Sequence, residues 1–182
     1  TEITFFDQAY AEGMRRAGRQ ADLIIGNNVL AHNPNLNDFV RGLKTALKAD
    51  GLITMEFPHL ARLMEETQFD TIYHEHFSYF SFLAVERIFR EHGLTLFDVE
   101  ELPTHGGSLR IFAAHAEDSS KSLSPRVAAL RASEESRGYG AIDHYLGFQK
   151  EVQGVKRNLL QLLISLKNEG KRIVGYGAPA KG

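Results

Sequence analysis

The stretch LTLFDVEELPTHGGSLRIFAAH, Leu94 to His115, limits the fold more than any other part of the chain. It holds two strand-forming segments, LTLFDVEEL and SLRIFAAH, separated only by PTHGG. Parallel neighbours need a crossover of about a dozen residues or more, so these two strands must pair antiparallel. Upstream, ADLIIGNNVLAH reads as a short, fully buried strand, Leu23 to Ile25, which stops at Gly26 and opens into polar Asn27 and Asn28. Leu36, Phe39, Val40, Leu43 and Leu47 then recur at helical spacing, with asparagines before them and Gly51 after, and GLITMEFP is the next strand. Strand, helix and strand at short intervals, apolar on both faces, make a parallel sheet covered by helices. The expected fold is therefore α/β, a mostly parallel sheet closed by an antiparallel hairpin, with ligands held in the loops after the parallel strands.

Between those parts lies a further helix, in which Val85, Ile88 and Phe89 share a face and Gly93 ends it. From AEDSSKSLSP the composition turns to serine and charge, and Pro125 marks a linker. Beyond it Ile142, Tyr145, Phe148, Val152, Val155, Leu159, Leu162 and Leu166 lie three or four apart, which predicts one helix of roughly 40 Å that bridges two domains. KRIVGYGAPAKG begins a new strand and a glycine-rich turn. With 43% hydrophobic residues the chain can bury a core, and a net charge of −2, both signs spread along it, offers no basic field for nucleic acid or a membrane surface. No cysteine is present, which excludes disulfides and cysteine-ligated zinc from this chain. Neither a signal peptide nor a membrane span is legible, and a cytoplasmic location is the expectation.

The segment FDTIYHEHFSYFS places His74, Glu75 and His76 inside an aromatic run, Phe69, Phe77, Tyr79 and Phe80. Desolvation there disfavours every charged form, so the cluster persists where its members satisfy one another or serve a substrate. On an extended chain Tyr73 and Glu75 would face one side, His74 and His76 the other. A neutral imidazole accepts protons well near neutral pH, and a neighbouring carboxylate or phenol can fix its tautomer or stabilise an enolate. Two other readings stand beside this one: a hydrogen-bonded polar cluster under an aromatic lid, and a zinc site of His74 and His76 with Asp70 or Glu56. Gly26, Asn27 and Asn28 sit where a cofactor passes the carboxyl end of a strand, and are equally a turn. In PTHGGSLR the glycines suit a tight turn, with Arg110 at the surface. In GYGAPAKG, Gly175, Gly177 and Ala178 would let the backbone approach a diphosphate and Lys181 would add a positive charge; a glycine turn packed on a neighbouring helix is the alternative.

Taken in order, NNVLAHNPNLNDFV, LKADGLITMEFP, FDTIYHEHFSYFS, HGGSLR and GYGAPAKG resemble the sugar-nucleotide C-methyltransferases that use S-adenosylmethionine. The resemblance covers nearly the whole chain but only the later part of that plan. It implies a partial class I methyltransferase (Rossmann-like) sheet over 1–117, a linker over 118–140, and over 141–182 a long helix with the first strand of a C-terminal substrate-binding domain. The family's cofactor-cradling glycine loop and zinc-binding cysteines would precede Thr1, so zinc is expected only in a missing N-terminal domain, and weak cofactor binding by this piece alone. By the same resemblance His76 is the base that takes a proton beside a ketone, with Tyr73 and Glu75 orienting it or holding the enolate. Gly26, Asn27 and Asn28 would line the S-adenosylmethionine site, and Gly175, Tyr176, Gly177, Ala178 and Lys181 would hold a nucleoside-diphosphate 4-keto deoxysugar. No metal is implied for this chain. Two rivals remain: a non-catalytic nucleotide-sugar binding module, and a histidine-carboxylate metal hydrolase.

Overall fold

A computed structural model describes residues 1–177. Helix α1 (Gln8–Arg16), capped by the Asp7 carboxylate on the Tyr10 N–H, precedes strand β1 (Ala21–Asn27). Helix α2 (Leu36–Ala46) follows and passes without a loop into β2 (Leu47–Pro58), so the helix ends at Ala46 and not near Gly51. Helices α3 (Leu60–Glu65) and α4 (Phe82–Glu91) flank the aromatic segment, and β3 (Leu94–Leu102) and β4 (Ser108–His115) form the hairpin. Gly93, in the left-handed region at φ 69°, ends α4 as its position suggests.

The sheet has the order β1-β2-β4-β3, with β1 and β2 parallel and β4 antiparallel to both its neighbours. The expected α/β sheet with an antiparallel terminal hairpin is thus what the chain builds, but it is not mostly parallel: β4 lies inside it, and among the described residues only the β1–β2 pairing is parallel. Phe39, Val40 and Leu43 of α2 and Phe82, Val85 and Phe89 of α4 bury against Ile53, Met55, Phe57, Leu109 and Ile111 of the central strands. That cluster is the main core, and burial of each such side chain contributes about 1.5–3 kcal/mol.

Four features depart from the sequence reading. Strand β1 is not fully buried, since it pairs with β2 on one edge only and leaves Leu23 and Ile25 49% and 64% exposed. The segment 118–140, read as a linker, contains helix α5 (Pro125–Ser136), started by Ser124 and Pro125, which buries Val127, Leu130 and Glu134. Serine and charge there serve the cap and the outer face, while the few apolar residues reach the core. The long helix divides at Gly147 into α6 (Ile142–Leu146) and α7 (Phe148–Asn168), leaving α7 21 residues, about 32 Å. Gly147, a poor helix former, stands at the break, and α7 buries none of its side chains among the described residues. Finally, residues 171–177 form no strand: the apolar run has no neighbouring strand there, and Val174 and Tyr176 stand exposed. Among the described residues no helix is long and apolar enough to cross a membrane.

Candidate active site

The carboxyl ends of parallel β1 and β2 lie side by side, Asn27 opposite Glu56, and the Asn28 N–H donates to the Glu56 carbonyl at 2.8 Å. Asn28 sits in the left-handed region, φ 55°, a conformation asparagine tolerates better than most residues. The chain turns there into a short 3-10 helix, Leu30–His32, with Leu30 and Ala31 in the core, so that His32 emerges above the sheet.

The aromatic segment meets this turn through the Phe77 N–H, which donates to the Ala31 carbonyl at 2.9 Å. Tyr73 to His76 do not form an extended chain; they make a turn closed by the His76 N–H on the Tyr73 carbonyl, 3.2 Å. The turn brings Tyr73 and His76 to the same side, the Tyr73 hydroxyl 3.3 Å from His76 Nε2. Tyr79 holds the turn, its hydroxyl accepting from the Tyr73 N–H at 2.9 Å and donating to the Thr71 carbonyl at 3.2 Å. The rings of His32, Tyr73 and Tyr79 surround the His76 imidazole at centroid distances of 4.7, 4.5 and 5.2 Å. Because of the turn, the aromatics do not act as one lid: Phe80 is buried, whereas Phe69 and Phe77 are exposed.

These groups line a cavity of ≈ 170 Å³ whose wall also includes Asn28, His59 and His105. Its far side is the Thr104–Gly107 loop, where His105 is left-handed as well (φ 54°). Glu56 ties this loop down: its buried carboxylate accepts from the Thr104 hydroxyl at 3.0 Å and from Arg110 Nη2 at 2.8 Å. Arg110 is therefore a half-buried anchor, not a surface residue. Two adjoining left-handed glycines, Gly106 and Gly107, complete the loop, and the Gly107 carbonyl accepts the His59 N–H at 3.0 Å. At φ 113° a side chain on Gly107 is strained, and its Cβ would fall 2.8 Å from Arg62 Cγ. Gly107→Ala should cost about 1–3 kcal/mol; an unchanged thermal midpoint would show that the loop yields freely.

Glu75 lies exposed at the tip of the turn, outside the cavity, and acts through its charge. Burial first, and then the Glu75 carboxylate, holds the Tyr73 phenol above its ordinary range. Tyr73 therefore stays protonated through neutral pH and loses its donor only as the pH rises through that raised value. Glu75→Gln in the full-length protein should move the alkaline limb of the kcat–pH profile toward lower pH; an unmoved limb would exclude the carboxylate from tuning the phenol.

Of the residues singled out by sequence, His76, Tyr73 and Asn28 come together. Gly26 is buried below Met55 and Val29, so it is small for packing, and Asn27 is exposed beside the cavity. Gly175, Tyr176 and Gly177 lie exposed, while Ala178 and Lys181 fall outside the described residues. His74 is exposed, and among the described residues no three histidine or acidic side chains are grouped to hold a metal ion. The sequence reading missed His32, its signal being the imidazole that follows the asparagine turn in NNVLAH. It also missed His59 and Glu134, whose partnership has no local signal.

A sheet that runs from a parallel pair into an antiparallel hairpin, with its cavity beyond the ends of the parallel strands, fits a partial class I methyltransferase sheet. Residues 2–99 match the family model described as a methyltransferase domain, and the chain belongs to that family. Residues 103–182 match a C-methyltransferase C-terminal domain, so the two matched regions meet inside the β3–β4 hairpin. The chain is similar to the C-methyltransferase NovU of Streptomyces niveus, 38% identical over 162 residues, which cover 89% of this chain and 38% of that relative's length. The PH0226 protein of Pyrococcus horikoshii OT3 shares 16% identity at a TM-score of 0.44, covering 63% of this chain and 55% of its own. Magnesium protoporphyrin IX methyltransferase from Synechocystis PCC 6803, with bound SAH, shares 12% at 0.41, covering 53% and 45%.

Proposed function

We propose that this chain is the catalytic part of an S-adenosylmethionine-dependent C-methyltransferase acting on a nucleoside-diphosphate keto-deoxysugar. The observation that carries the reading is the Tyr73 hydroxyl 3.3 Å from His76 Nε2 in a walled cavity at the strand ends. At that length the bond is weak and gives way when a substrate enters. His76 takes the proton from the carbon beside the ketone, and the electron pair moves into the enolate. Tyr73, kept protonated, donates to the developing enolate oxygen, where a positioned donor acts most strongly. The surrounding rings limit water at the carbanion.

Asn27 and Asn28, at the open carboxyl end of β1, fit one wall of the methyl-donor site. S-adenosylmethionine held there would supply an electrophilic methyl group to the enolate carbon, with the sulfur–methyl bond breaking to leave S-adenosylhomocysteine. The proton on His76 then returns to solvent. The similarity to NovU supports the carbon acceptor; the sugar nucleotide rests on the GYGAPAKG stretch, with Lys181 on the diphosphate.

The test is isotopic. Incubated in D₂O with keto-sugar nucleotides and no methyl donor, the full-length protein should wash deuterium into the position beside the ketone. Retention of protium there, under conditions that support methyl transfer, would remove proton abstraction by His76 from the mechanism.

A further inference from the structure

His59 stands at the end of β2, with only 2% of its surface exposed, and lines the same cavity as Tyr73, His76 and Tyr79. Its Nε2 is 2.7 Å from Glu134 Oε1 of α5, and both side chains are buried. Glu134 meets two further groups, and both are obligate donors: the Phe82 N–H on Oε1 at 2.8 Å and the Leu83 N–H on Oε2 at 3.0 Å. They open α4, so the carboxylate caps that helix where negative charge is favoured. As a carboxylate Glu134 only accepts, so the third bond is donated by His59 Nε2–H. A neutral imidazole protonated on Nε2 carries its lone pair on Nδ1. That atom is buried and has no partner among the described residues. Buried acceptors are rarely left so, and one on a residue that lines a cavity calls for a donor from outside the chain.

From this geometry we infer that His59 Nδ1 is a substrate-binding acceptor that takes a hydroxyl hydrogen bond from the ligand in the cavity. Glu134 is its positioning residue. The cavity then divides its work: Tyr73 donates to the ketone oxygen, and His59 accepts from a hydroxyl of the same molecule. A site built to accept a hydroxyl proton rejects an analogue lacking it, because the unpaired group stays buried. The inference rests on the reading of this cavity as the substrate site.

Nitrogen-15 NMR of the full-length protein tests it without catalysis, using hydroxyacetone as the probe and acetone, the same ketone without the hydroxyl, as the control. The His59 side chain should carry its proton on Nε2, and its Nδ1 resonance should move with hydroxyacetone and stay still with acetone. Glu134→Gln keeps an oxygen for the Leu83 N–H but presents an amide N–H to the imidazole in place of Oε1, giving up the Phe82 bond, which moves the proton to Nδ1 and turns the acceptor into a donor. In that variant the response to hydroxyacetone should vanish, and KM for the nucleotide sugar should rise about tenfold or more, with S-adenosylhomocysteine affinity unchanged. A proton already on Nδ1 in the wild type, or equal responses to the two ketones, overturns the inference, and neither reading needs the variant to fold. An inactive protein whose Nδ1 answers hydroxyacetone instead overturns the proposed reaction and leaves this acceptor in place.

Discussion

Replacing His76 by alanine in the full-length protein is expected to lower turnover by about two to four orders of magnitude, the usual contribution of a positioned acid-base group. Cofactor affinity should hardly change, because His76 faces His32, Tyr73 and Tyr79, whereas the proposed cofactor wall is Asn27 and Asn28. The fold should persist, since the turn is held by backbone bonds and by the Tyr79 hydroxyl, not by the imidazole. Deuterium wash-in should fall in step with methyl transfer. A variant with wild-type turnover would place the base elsewhere, and His32 is the nearest other imidazole.

Glu134→Ala carries the largest expected cost in stability, about 3–5 kcal/mol, since each donor left unsatisfied on burial costs about 1–3 kcal/mol. A single carboxylate, itself fully buried, serves three donors, His59 Nε2–H and the first N–H groups of α4, and alanine orphans them all. Against a total stability of about 5–15 kcal/mol for a domain, that is a large fraction. Urea denaturation of wild type and variant measures it, and a loss under about 1 kcal/mol would mean that water replaces the carboxylate. Pairing the change with His59→Ala in a double-mutant cycle separates the imidazole bond from the helix cap.

The two effects have different origins. His76 is proposed to act on a ligand, and it sits in a segment held to the 3-10 turn by one backbone bond, Phe77 to Ala31, and shaped internally by the Tyr79 hydroxyl. Glu134 joins three elements, α5, α4 and the end of β2, and so links the floor of the cavity to the core. An error in the second is felt throughout the domain. An error in the first is felt only by the chemistry.

By itself the sequence determined whatever depends on near neighbours. The short PTHGG connection dictated the antiparallel hairpin, the spacing of Phe39, Val40 and Leu43 dictated α2, and the composition of YHEHFSY marked the segment in which His76 and Tyr73 lie. Only the tertiary structure decided that YHEH turns instead of extending, because the bonds that hold the turn come partly from Tyr79 and Thr71. It alone placed His32 beside His76, across the gap between the asparagine turn and the aromatic segment. The same holds for His59 and Glu134, which lie 75 residues apart, the second in a stretch whose serines and charges read as linker. Periodicity reports which face of an element is apolar, but a lone polar residue on that face carries no mark of the partner that will satisfy it. That partner exists only once α5 has packed onto α4 and the sheet.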